Sequence, residues 1–173
     1  RCGPTGARAA AGWAGAAEPV WMEAGDWALQ CDNTRRCSAV GYLPEQRDPD
    51  APQRALAAVR ITRAAGAGSP VGVNVRAFAP DRDSPLRGPF TLRSGPVTLE
   101  VSRLRGEDGA LAAAQARRLV PAMVASGELL LASRSHQWEI SFAGFRQVLS
   151  RMDEVQQRQG TVDALVLRAE RPA

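Results

Sequence analysis

The chain has no lysine: all 22 of its basic residues are arginine. That absence excludes a Gly-x-x-x-x-Gly-Lys phosphate loop and any Schiff-base chemistry, since both need a lysine amine. Histidine is nearly as scarce, and His136 is the single example. A nucleophile with a histidine base would have to be built on that one imidazole. Its place in a short Ser135-His136 turn next to Trp138 reads as a solvated turn residue, not a base. Long apolar runs are missing too. Arg, Pro or Gly interrupts each of them well short of the roughly 18 residues that a membrane-spanning helix requires, so a soluble chain is expected.

What remains is 173 residues of which 45% are hydrophobic, enough for one buried core and within the usual size of one domain. The arginine-only basic set, with abundant Ala, Gly and Pro, has the look of a GC-rich, bacterial coding origin. A formal net charge of +4 hints at a polyanion. The arginines are interleaved with acids along the whole chain, however, so no nucleic-acid partner is expected. Residues 1–20 are Ala/Gly-rich and lack hydrophobic periodicity; they read as a leader remnant or disordered arm before a domain at 21–173.

Three cysteines occur, Cys2 in that arm and Cys31 and Cys37 close together. Fully extended, the six steps between Cys31 and Cys37 span about 20 Å, whereas disulfide Cα atoms sit about 4.4 to 6.8 Å apart, so pairing demands a reversal. Asp32, Asn33 and Thr34 favour such a turn. On the chain-entropy model so small a loop adds only about 2 to 2.5 kcal/mol, which fixes loop shape more than it holds a fold. The rival readings are a metal site and a reactive thiol pair. Zinc prefers shorter cysteine spacings with a second ligand pair, and the spacing here is not Cys-x-x-Cys. A structural disulfide is the expectation, with no metal and no cofactor; the role of Cys2 is left open.

Strand signals follow in order. Trp27–Cys31 and Cys37–Leu43 should form a hairpin around the stapled turn. Ala55–Thr62 and Val71–Ala77 alternate with a period of two, and Phe90–Leu92 pairs with Val97–Val101 across Ser94-Gly95-Pro96. Glu128–Arg134 and Gln137–Phe142 flank the histidine turn, and Val162–Leu167 reads as a final strand. Two helices are expected, at about 109–126, split by Pro121, and at about 142–158, capped by Ser141 and ended by Gly160. The fold class is α+β, mostly antiparallel sheet or sandwich of about eight or nine short strands with two helices.

Two sets of residues carry a family resemblance. Trp27, Cys31-Asp32-Asn33, Cys37, Ala39 and Gly41-Tyr42, together with Asp153-Glu154, Gln156, Arg158, Gly160-Thr161-Val162 and Ala164-Leu165, resemble the bacterial family called domain of unknown function 1176. A more distant similarity runs to the invasion-associated locus B family. The resemblance implies an exported, periplasmic or secreted protein of proteobacteria with no established catalysis. Family members usually run on past the Ala-Leu strand, so a chain ending at Pro172-Ala173 reads as a fragment or a short member.

Arg158 should pair with Asp153 or Glu154 near the helix end, with Gly160 as a left-handed cap and Thr161 opening the strand; a rival role for Arg158 is holding an anionic ligand. The loop Asp32, Asn33, Arg35 and Arg36, with Trp27 and Tyr42 nearby, is the candidate surface for contact with an unknown envelope protein or small ligand. The expectation is therefore a non-enzymatic envelope binding module of unknown oligomeric state. Two alternatives are a lysozyme-inhibitor-like protein acting through the 32–36 loop, by analogy of shape, and an envelope hydrolase using carboxylates such as Asp26 with Asp32, or Asp153 with Glu154.

Overall fold

A computed structural model of the chain describes residues 17–44, 50, 55–78, 88–102 and 109–168. Five strands, β1 (Val20–Ala24), β2 (Trp27–Cys31), β3 (Cys37–Tyr42), β4 (Leu56–Arg63) and β5 (Gly72–Phe78), form an antiparallel meander in the order β1-β2-β3-β4-β5. Along it the sequence alternates, so one face presents Trp27, Leu29, Ala39, Val59, Ile61, Val73 and Val75, all at most 2% exposed. A second sheet holds β6 (Phe90–Ser94), β7 (Val97–Val101), β8 (Leu130–Ala132) and β9 (Gln137–Glu139), in the order β7-β6-β8-β9.

Helix α1 (Ala113–Ser126) packs against β5, β6 and β7, and α2 (Phe145–Val155) lies across β1, β2 and β3. One continuous cluster of buried side chains joins both sheets and both helices. The expected α+β class, with two helices and nine antiparallel strands among the described residues, is what the chain adopts.

Several expectations are corrected. β1 lies just before the first expected strand and pairs with β2 from Val20↔Cys31 to Ala24↔Trp27, so the boundary drawn after residue 20 falls on the first residue of a strand. Pro121 does not split α1, which runs unbroken through it. Pro121 and Arg117, whose carbonyl loses its helical N–H partner, are both exposed while Leu119, Val120, Ala122 and Met123 are buried, so the break falls on the outer side of the helix and the apolar anchors hold the axis. Ser141 does not cap α2. That role falls to Gly144, at φ 85°, and the Ser141 hydroxyl instead accepts from the Ala143 N–H at 3.2 Å.

Val162–Leu167 is not a strand. Its neighbours Ala164 and Leu165 are both buried, whereas Val162 and Leu167 are exposed, a pattern that no period of two produces.

Two glycines are set by close approach. A Cβ on Gly144 would stand 1.7 Å from the Ala24 carbonyl oxygen, which seats the start of α2 directly on the β1–β2 turn. A Cβ on Gly41 would stand 2.2 Å from the Trp27 indole, so β3 leaves room for the ring to lie across it. Gly41→Ala should therefore lower unfolding stability by about 2 to 3 kcal/mol through overpacking. Gly68→Ala, at φ 68° but facing open space, should cost only about 1 kcal/mol of backbone strain. Urea unfolding of the two variants checks the ordering; equal losses would mean that the ring does not occupy that space.

Candidate functional site

Cys31 and Cys37 face each other in register at the end of the β2–β3 hairpin and are joined as a disulfide, with Cα atoms 4.1 Å apart. Inside the closed loop the Asp32 carboxylate organises the turn. It accepts the Thr34 hydroxyl at 2.6 Å, the Thr34 N–H at 2.8 Å and the Arg36 N–H at 3.0 Å. The Thr34 hydroxyl bond is the main cause holding the Asp32 carboxyl below its ordinary value near 3.8; desolvation, next in size, opposes it, and the Arg36 and Thr34 amides and the Arg36 charge add to the lowering. Arg35 sits in the left-handed region at φ 61°, a conformation a non-glycine residue keeps only when its surroundings impose it. Asn33 and Arg36 are exposed and Arg35 is half-buried.

The helix-end motif supplies that imposition. Gln156, at the C-terminus of α2 and 5% exposed, donates from Nε2 to the Arg35 carbonyl at 2.7 Å and to the Arg63 carbonyl at 3.0 Å. Its Oε1 accepts Arg63 Nε at 2.6 Å. The Arg63 guanidinium continues to Asp153 Oδ1 at 2.6 Å and to the Asp163 carbonyl at 2.9 Å.

Asp153, 1% exposed, also accepts the backbone N–H groups of Leu165, at 2.8 Å, and Val166, at 3.1 Å. Those are amides that a terminal strand would have given to a neighbour, which is why residues 162–167 wrap around a carboxylate instead. Burial pushes the Arg63 pKa down, and the bond to Asp153 and its charge pull the other way.

Arg158 does not pair with Asp153 or Glu154. It meets Asp163 Oδ2 at 2.9 Å and the Ala65 carbonyl at 2.5 Å. It is 5% exposed, so both ends of the guanidinium are engaged inside the protein and an anionic ligand has no open approach to it. Asp163 Oδ2 accepts the Gly68 N–H as well, at 3.0 Å, which ties the β4–β5 turn to the same cluster. Gly160 is left-handed at φ 66°, but the helix ends earlier: Gln157 takes the left-handed position after α2, at φ 58°. Thr161 opens no strand; its hydroxyl donates to the Arg158 carbonyl at 2.7 Å. The two members of the acidic pair sit in different surroundings. Asp153 is buried, and only Glu154 reaches solvent, pairing with Arg151 at 2.6 Å.

Trp27 is not part of any surface. It is 1% exposed, with its indole N–H donated to the Ser141 carbonyl at 2.7 Å and Phe145 edge-on at 4.8 Å. Tyr42, by contrast, is 51% exposed. His136 Nδ1 shares a hydrogen bond with the Ser135 hydroxyl at 2.8 Å, and the ring stacks on Trp138 at 5.5 Å. Among the described residues no group of His, Cys, Asp or Glu could hold a metal ion, and no helix is long and apolar enough to cross a membrane. Cys2 lies outside the described residues.

Sequence reading missed Arg63. The signal was present: it continues the Ala57, Val59, Ile61 series and so falls on the inward face of β4, where an arginine needs a buried partner.

These features define an antiparallel two-sheet α+β protein whose C-terminal polar motif clasps a disulfide-closed hairpin loop. The family model described as "Protein of unknown function (DUF1176)" matches residues 22–173, and the chain belongs to that family. No curated protein and no solved structure matches the chain, so the distant similarity to the invasion-associated locus B family is without support.

Removing one partner of a buried ion pair leaves the other charge uncompensated, so Asp153→Ala should destabilise by about 3 to 5 kcal/mol, whereas Glu154→Ala should change stability by less than about 0.5 kcal/mol. Thermal or denaturant unfolding measures both, and equal losses would refute the clasp. For the loop, the folded-state value of Asp32 is depressed, so its contribution is complete above the ordinary value near 3.8 and is lost as pH falls through the lower folded value. The Thr34 and Arg36 amide resonances should then titrate with a midpoint below 3.8, and Thr34→Val should move that midpoint upward.

Proposed function

We propose that the chain is a non-enzymatic binding module of an oxidising bacterial compartment, periplasmic or secreted, and that it meets its partner through the 32–36 loop. The observation that carries this reading is the bond from Gln156 to the Arg35 carbonyl. The loop is closed by a disulfide at its base, braced from within by Asp32 and held from behind by the helix-end clasp. A loop immobilised from three sides loses little conformational entropy on binding, while Asn33, Thr34 and Arg36 remain exposed to make the contact.

Two further features support the reading. A disulfide whose sulfurs lie on residues at most 1% exposed suits a compartment where thiols are oxidised during folding. Among the carboxylates with a possible acid–base role, Asp153 is 1% exposed and committed to Arg63 and to two backbone amides, which argues against its meeting a substrate.

Photo-crosslinking tests the loop. A benzophenone side chain placed at Asn33 in the exported protein should give a discrete adduct in the envelope fraction, and the same probe at Arg117, exposed on α1, should not. Adducts of equal yield at both positions, or none at Asn33, would sink the reading.

A further inference from the structure

The two outer strands of the five-stranded sheet end differently. β5 is closed on its free side, where the Val75 N–H donates to the Gly109 carbonyl and the Leu111 N–H to the Val73 carbonyl, each at 2.9 Å. β1 pairs with β2 alone, and its register fixes which backbone groups stay open. At the two ends of β2, the Asp26 carbonyl accepts the Tyr42 N–H and the Asp32 N–H donates to the Arg36 carbonyl. The even-numbered residues of this stretch therefore bond toward β3, which leaves Trp27, Leu29 and Cys31 to bond toward β1. Their partners there are Ala24, Met22 and Val20. The N–H and C=O groups of Trp21 and Glu23 consequently point away from the sheet, and among the described residues no hydrogen bond takes them up.

Side chains along this edge alternate in kind. Val20, Met22 and Ala24 are half-buried against the core, whereas Trp21, 64% exposed, and Glu23 stand on the outward face. The charge here is negative: from Ala17 to Thr34 the chain holds Glu18, Glu23, Asp26 and Asp32 and no arginine. Cations on the outward face stand farther in. Arg36 lies in the loop between β2 and β3, and the row from Glu23 runs through Ala28 and Val40 before it reaches Arg60 on β4, about 14 Å from β1.

We propose that β1 is a docking edge, which an extended segment of a partner protein joins as a further antiparallel strand, with arginine or lysine opposite Trp21 and Glu23 and an apolar residue opposite Met22. The open main-chain groups supply the pairing, and the alternate side-chain positions supply the selection. A cation opposite Trp21 and Glu23 meets the face of an indole and a carboxylate. An apolar side chain between them falls on the other face, where it extends the core surface past Met22. A second copy of this chain suits the edge poorly, because pairing β1 with β1 brings two acidic hairpins together. The edge is separate from the 32–36 loop, and its role stands independently of the one proposed for that loop.

NMR titration of the full, isotope-labelled chain with a capped peptide of alternating arginine and valine tests this. Saturable binding is expected, with the Trp21 and Glu23 amides gaining protection from hydrogen exchange while the Met22 amide, already bonded to β2, changes little. Trp21→Ala and Glu23→Gln should each weaken binding about threefold. N-methylation of the peptide at its arginines, whose amides face the edge, should abolish binding, and N-methylation at its valines should be tolerated. Asn33→Ala, a change in the loop, should leave the affinity within about twofold. Absence of binding, equal binding of a peptide of alternating glutamate and valine, binding that leaves the Trp21 and Glu23 amides unprotected, or a dimer of the free chain that protects those same amides would each overturn the proposal. A crosslink from Asn33 obtained alongside any of those results would leave the loop reading standing.

Discussion

The contact between Arg63 and Asp153, 2.6 Å apart and almost free of solvent, is where the inner strand surface, the end of α2 and the C-terminal segment converge. Each group is a poor choice for a core taken alone, because a buried charge without partners is costly. Together they leave few unmet demands. The guanidinium reaches Gln156, the Asp163 carbonyl and the carboxylate, and the carboxylate receives two backbone amides besides. Remove either charge and the other becomes an orphan, together with several backbone groups that have nowhere else to bond.

That dependence explains why two motifs far apart in sequence behave as one unit. The disulfide shortens the hairpin loop, but a covalent closure fixes only its ends. The left-handed conformation of Arg35 is held by Gln156, 121 residues away. Gln156 in turn is oriented by Arg63 through its carbonyl oxygen and by the Arg63 carbonyl through its amide nitrogen. The loop thus acquires its shape from the far end of the chain, and anything that disturbs the clasp is transmitted to it through one side-chain amide.

Much of this was legible in the residues. The period of two in β4 and β5, the turn chemistry of Asp32-Asn33-Thr34, the Ser94-Gly95-Pro96 reversal and the apolar stripe of Phe145, Val148, Leu149 and Met152 each reflect local physics that a sequence carries openly. What stayed hidden depends on partners. β1 escaped notice because its outward position is filled by Trp21, a residue that reads as core until the register shows otherwise. Residues 162–167 looked like a strand because Val162 and Leu167 are apolar, yet their backbone is recruited by a carboxylate that no local pattern announces. Arg158 was matched with its sequence neighbours, whereas the fold offered it Asp163 and Ala65.

A hydrophobic cluster of equal volume could hold α2 against β4 at comparable stability, since buried ion pairs often gain little over well-packed apolar side chains. It could not, however, do what the polar cluster does for the main chain. Arg63 and Arg158 satisfy the carbonyls of Asp163 and Ala65, Gln156 those of Arg35 and Arg63, and Asp153 and Asp163 the amides of Leu165, Val166 and Gly68. Apart from Arg63, the last residue of β4, these segments turn back without a sheet partner to take up those groups, and apolar side chains would leave them unpaired. The residues Asp153, Gln156, Arg158 and Thr161 are therefore best understood as the hydrogen-bonding complement of an irregular chain path. The rigid presentation of the 32–36 loop is a consequence of satisfying that path, because the same glutamine that completes the cluster also anchors Arg35.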